Sequence, residues 1–145
     1  MKPTPQKTIE QYYLLWFGLN ELYALWAKQH GLTVNALFTL YVIQNVKNCT
    51  QQDICKMLML SKQTVNSLLK NFEGLGYITK QTVPSDKRSK ALALTPLGNE
   101  LAVNLLSKLY SAESKALQAM SREQMEGFIK GMNSFLKNFR ETTKL

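Results

Sequence analysis

Thr50-Gln51-Gln52-Asp53-Ile54, Ser61-Lys62-Gln63-Thr64-Val65, and the run from Gly74-Leu75-Gly76 to Thr95-Pro96-Leu97-Gly98 together decide the fold. The first two segments are helix starts. In each, a hydroxyl residue can accept the backbone N–H three residues on, and an amphipathic pattern follows. Asp53, three residues after Thr50, makes a short-armed capping box. Ser61 opens a helix expected over about 62 to 75, with Val65, Leu68, Leu69 and Phe72 on one stripe. Gly74 and Gly76 supply the turn that ends it. Tyr77 to Val83 is rich in β-branched and aromatic residues and predicts a strand. A turn is expected at Pro84-Ser85-Asp86-Lys87-Arg88 and a return strand from Ser89 to Leu94. Thr95-Pro96 then starts a helix, with a capping hydroxyl and proline at the first helical position. Helix, turn, helix and a hairpin with a basic tip form the pattern of a winged helix-turn-helix, which makes duplex DNA the leading partner.

Outward from this segment the chain is helical. Helix one is expected from about Pro5 to Gln29, with Ile9, Tyr12, Tyr13, Trp16, Leu19, Tyr23 and Trp26 at helical spacing. Leu14, Leu15, Phe17, Leu22 and Leu25 leave little of its surface polar. Such a helix must be covered on more than one side, and a second subunit is the natural cover. Gly31 ends it. Thr33 caps helix two, about Val34 to Val46, which turns Leu37, Leu40, Tyr41 and Ile43 inward. Ile54, Cys55 and Leu58 form the buried face of the short helix after Thr50. Helix five runs to about Met120 with Leu97, Leu101, Leu105, Leu109, Ala112 and Ala116 as its stripe. Ser121 and Gln124 make a capping box for helix six, where Met125, Phe128, Met132, Phe135 and Phe139 form a seam suited to another helix. The predicted class is mainly α: a winged helix-turn-helix with a two-stranded β wing. Residues 1–145 read as one domain, with a reading head at about 33–95 and packing helices at about 5–30 and 96–140.

The 145 residues suffice for one domain with a core, and 45% hydrophobic residues exclude a disordered chain. A net charge of +8 favours polyanionic partners. The start, Met1-Lys2-Pro3-Thr4-Pro5-Gln6, lacks the apolar core of a signal peptide, and no apolar run is long enough to span a bilayer. Two cysteines make no disulfide framework, so reduced thiols and a cytoplasmic location are expected. One histidine leaves no Ser-His-Asp or Cys-His set, and there is no HExxH, CxxC or phosphate-binding glycine loop. No catalytic residue, cofactor or metal is predicted.

The order of elements, His30-Gly31-Leu32-Thr33, Ser61-Lys62-Gln63-Thr64-Val65, and Asp86-Lys87-Arg88-Ser89 followed by Leu94-Thr95-Pro96-Leu97-Gly98 resemble the MarR (multiple antibiotic resistance regulator) family over nearly the whole chain. The wing segment is the most specific part. The resemblance implies a homodimeric transcription regulator, ligand-responsive and repressing, whose first and last helices form a dimerisation layer. It places the fourth helix in the major groove and the wing in the flanking minor groove of operator DNA. It also implies a small aromatic or phenolic effector between the two layers. Two departures stand out. The oxidant-sensing branch carries a cysteine near the start of the first helix, and this chain has none there. The fourth helix often carries arginine where this chain has Ser67, so no base preference carries over.

The expected DNA-binding set is Thr50, Gln51, Ser61, Lys62, Gln63, Thr64, Asn66, Ser67, Lys70, Lys80, Lys87, Arg88 and Lys90. Glutamine and asparagine pair with adenine edges, lysine reaches guanine or phosphate, and hydroxyls bond either. Arg88 suits a narrow minor groove with its concentrated negative potential. Asp86, two residues away on a tight turn, is expected to orient Arg88 by a bidentate pair with its guanidinium. Against these stands a solvated helix face and an ordinary charged hairpin. Tyr12, Trp16, Tyr23 and His30 are the expected effector-pocket residues. The competing reading makes the aromatics core or dimer interface and gives His30 a helix-end role. Two alternatives to a ligand-responsive DNA reader stay open: a thiol-based redox regulator using Cys49 or Cys55, and a winged-helix module that binds protein.

Overall fold

The computed structural model describes residues 2–83 and 85–145; Pro84 and the Lys87 side chain lie outside the described residues. Six helices and one hairpin follow in the order α1 (Pro5–Gln29), α2 (Val34–Asn45), α3 (Gln51–Leu58), α4 (Lys62–Gly74), β1 (Ile78–Val83), β2 (Asp86–Leu94), α5 (Pro96–Gln118) and α6 (Arg122–Thr143). This is a mainly α winged helix-turn-helix. Local chemistry sets most of the boundaries. The side chains of Thr33, Thr50, Ser61 and Ser121 each accept a backbone N–H from the first turn of their helix. Thr50–Asp53 and Ser121–Gln124 form both halves of a capping box.

The chain packs as two compact units, 1–105 and 106–145, where the sequence suggested one domain in two parts. The core of the first unit comes from Leu37, Leu40, Val42 and Ile43 of α2, Ile54 of α3, Val65, Leu69 and Phe72 of α4, and Ile78 and Leu92 of the hairpin. Tyr41 departs from expectation. It is exposed, and Ala36, Thr39 and Val42 take the inward places with the three aliphatics. The second unit contains the end of α5 and α6, and α6 buries none of its residues among those described. Leu97, Ala112 and Ala116 of the expected α5 stripe are also exposed.

The hairpin is antiparallel, pairing Ile78 with Leu94 and Thr82 with Lys90. Its register shifts between Thr82 and Val83, and Val83 then pairs with Asp86. The return strand therefore begins at Asp86, three residues before the expected Ser89, because a bulge absorbs the residues assigned to a long turn. The Leu92 N–H donates to the Cys49 carbonyl at 2.7 Å and fixes the wing to the loop before α3. At its base, the Thr95 N–H donates to the Tyr77 carbonyl at 2.9 Å and the Thr95 hydroxyl donates to the Gly76 carbonyl. No helix among the described residues is long and apolar enough to cross a membrane.

Candidate nucleic-acid interface

Two grooves flank α4. The first, of about 580 Å³, lies among the starts of α3 and α4 and the wing. It brings Thr50, Gln51, Lys62, Lys80, Arg88 and Lys90 together from four elements. Gln51 Nε2 donates to the Lys62 carbonyl at 3.2 Å and ties the two helix starts. No acidic side chain among the described residues lines this groove. A concave surface with four cations and no acid concentrates positive potential and attracts polyanions. One of the cations is already engaged: Lys80 Nζ lies 3.0 Å from Glu73 Oε1 at the end of α4. This pair spans the α4–β1 turn, which spacing along the chain did not reveal.

The second groove, of about 710 Å³, lies on the opposite side of α4, against the start of α2. Gln63, Thr64 and Ser67 line it, joined by Thr33, Asn35 and Asn71, which the sequence reading left out. Asn66 is half-buried, and Ser61 and Lys70 are exposed on α4. Lys87, also expected here, has its side chain outside the described residues.

The wing tip corrects one detail. Asp86 Oδ1 accepts the Arg88 backbone N–H at 2.9 Å, and Oδ2 accepts the Ser89 hydroxyl at 2.8 Å. Both carboxylate oxygens are thus engaged locally, and the side chains of Asp86 and Arg88 form no ion pair among the described residues. The expected bidentate pair is replaced by a turn in which Asp86 fixes the backbone that carries Arg88. The Arg88 N–H, and after it the Ser89 hydroxyl, hold the Asp86 carboxyl below its ordinary range.

Residues 30–89 match the MarR family. The regulator Hpr of Bacillus thuringiensis, an HTH-type transcriptional regulator, is 24% identical over 103 residues, covering 71% of this chain and 55% of its own length. This chain thus spans about half the length of the curated relatives it matches. Among solved structures, the MarR family transcription regulator SP03579 superposes with a TM-score of 0.82 at 16% identity, over 96% of this chain and 92% of that one. FabT of Streptococcus pneumoniae, solved in complex with DNA, superposes with a TM-score of 0.75 at 22% identity, over 96% and 99%. The family match takes in the helix-turn-helix and most of the wing, and the chain shares the fold of these solved structures.

The expected effector residues do not converge on one described groove. Tyr12 and Trp16 meet edge to face at 5.8 Å on α1. Tyr23 packs on Phe38 of α2 at 5.3 Å. His30 stacks on Trp26 at 3.9 Å, with Nδ1 2.8 Å from the Trp26 carbonyl oxygen. That geometry is the helix-end role of the imidazole.

The cysteines also separate. Cys49 is buried, and desolvation followed by the nearby Asp53 charge raises its pKa to about 11. Cys55 is half-buried and faces the cationic groove. An aromatic disulfide reagent at pH 8 is expected to label Cys55 and spare Cys49, since the thiolate is the reacting species. Equal labelling of both thiols in the folded protein would contradict the burial of Cys49.

Proposed function

We propose that the chain is a homodimeric, sequence-specific reader of duplex operator DNA that represses transcription until a small effector releases it. The observation that carries this reading is the groove in which Lys62, Lys80, Arg88 and Lys90 meet beside the start of α4. Four cations held by three separate elements match a phosphate backbone better than any small substrate. In this reading Gln63, Thr64, Asn66 and Ser67, with Lys70 and Ser61 beside them, face the base edges. Thr50, Gln51, Lys62, Lys80 and Lys90 hold phosphates, and Arg88 enters the minor groove with Lys87 beside it. FabT, solved with DNA, and Hpr, a transcriptional regulator, support the same reading.

The homodimer rests on unpartnered apolar surface. Leu14 and Leu15 of α1 are 72% and 73% exposed, and Phe128, Ile129 and Phe139 of α6 are at least half exposed. A folded chain does not leave so many large apolar side chains in water without a partner. The effector would act by favouring a spacing of the two reading heads that does not fit DNA, with Tyr12, Trp16, Tyr23 and His30 as its contacts. A thiol response is the second reading. It is favoured by the position of Cys55 in the cationic groove, where an oxidised or capped sulfur would stand against phosphate.

Duplex titration across salt concentrations tests the main reading. With about eight phosphates neutralised per dimer, log K is expected to fall against log salt with a slope of about −7. The operator is expected to be a near-palindrome with half-site centres about 10 base pairs apart. A slope near zero, or tighter binding to single strands, would remove duplex DNA as the partner.

A further inference from the structure

A helix about 10–12 Å across fills a major groove about 12 Å wide, so both of its flanks face a phosphate wall. The two flanks of α4 differ in chemistry. One is the cationic groove. Among the described residues, the other contains no Lys, Arg, His, Asp or Glu, in a chain of net charge +8. Its polar side chains beyond the base-facing set are Thr33, Asn35 and Asn71, with the phenol of Tyr77 at its edge. The Asn35 and Asn71 amides donate to no protein group among the described residues. Thr33 Oγ1 accepts the Ala36 N–H at 3.1 Å, which leaves its own proton to donate.

We propose that the two strands bordering α4 are held by different physics: one by charge, in the Lys62–Arg88–Lys90 groove, and the other by neutral hydrogen bonds from Thr33, Asn35 and Asn71. This rests on the DNA reading above. Neutral donors bond phosphate oxygens without replacing condensed counterions, so they add affinity with no salt dependence. Two consequences follow. The salt slope reports one wall only, and the neutral wall provides the binding that persists at high salt.

The test uses the full chain and a pool of random-sequence duplex, because phosphate contacts are independent of sequence. Asn35→Ala with Asn71→Ala is expected to weaken binding about tenfold or more at every salt concentration, giving a line parallel to that of the wild type. Lys62→Ala with Lys90→Ala is expected to flatten the line by about two per protomer. Asn71→Lys, on an exposed position that leaves the fold intact, is expected to steepen it by about one per protomer and tighten binding. An unchanged affinity in the asparagine double variant, or an unchanged slope in Asn71→Lys, would place this groove off the DNA and overturn the proposal. Wild-type protein that ignores duplex at low salt would instead defeat the DNA reading itself, before any variant is compared.

Discussion

Replacing Phe128 and Phe135 by aspartate in one chain is expected to give a folded monomer that has lost duplex binding. Phe128 is 50% exposed and Phe135 43% exposed, and α6 buries none of its described residues, so the monomer tolerates the change. In a dimer built on this face, two carboxylates per chain would be taken out of water with no partner. Each unpaired buried charge costs several kcal/mol, so the dimer affinity should fall by at least about a thousandfold. Sedimentation velocity reads the assembly and a duplex shift assay reads the binding. A variant that stays dimeric would move the interface away from α6. A monomer with undiminished DNA affinity would separate DNA reading from dimerisation.

Arg88→Ala should weaken duplex binding by about 1–3 kcal/mol if its guanidinium makes the inserted contact. Asp86 then distinguishes two accounts of the wing. If the wing is only a diffuse positive patch, removing an acid tightens binding, and Asp86→Ala and Asp86→Asn behave alike. If Asp86 fixes the backbone at Arg88, Asp86→Ala frees the tip and weakens binding. Asp86→Asn then recovers part of the loss, because its amide oxygen still accepts the Arg88 N–H. We expect the second pattern, with the Asp86→Ala, Arg88→Ala double variant little worse than Arg88→Ala alone, since the two residues act as one unit. The folded Asp86 carboxyl titrates below its unfolded value, so its contribution to wing order is complete above the ordinary aspartate range. That contribution is lost only as pH falls through the lowered value. Amide exchange at Arg88 should show this turn unaffected between pH 6 and 8; an Arg88 amide that opens across that window would contradict the turn.

Helix starts were legible because a cap is local. Thr33, Thr50, Ser61 and Ser121 each bond a backbone N–H within three residues, and a sequence window contains both partners. The burial of Val65, Leu69 and Phe72 was legible for a similar reason, since a period of 3.6 is written in one segment. Tyr41 was misplaced because helical spacing alone cannot say how wide the buried face of α2 is. The early start of β2 was hidden because a bulge depends on pairing between strands. Proximity across the fold was hidden as well. The ion pair of Lys80 with Glu73, the meeting of Lys62 with Lys90, and the groove that joins Asn35 to Asn71 each unite separate elements. The cationic residues were still nameable one by one, because lysine and arginine around a hairpin tip are conspicuous. Asn35 and Asn71 were not, because a neutral amide has no such signal in sequence.

A Cβ on Gly98 would collide with the Tyr77 carbonyl, the same oxygen that accepts the Thr95 N–H, and the Gly98 N–H donates to Thr95 Oγ1 at 3.0 Å. The spacing Leu94-Thr95-Pro96-Leu97-Gly98 is therefore the imprint of a close-packed corner where α5 meets the turn between α4 and β1. None of these atoms needs a nucleic acid. A descendant of this chain that exchanged Lys62, Arg88 and Lys90 for neutral residues would keep the corner and lose the partner. In a sequence survey the threonine and glycine of this motif mark a winged architecture, while the vocation of the protein has to be read from the cations around it.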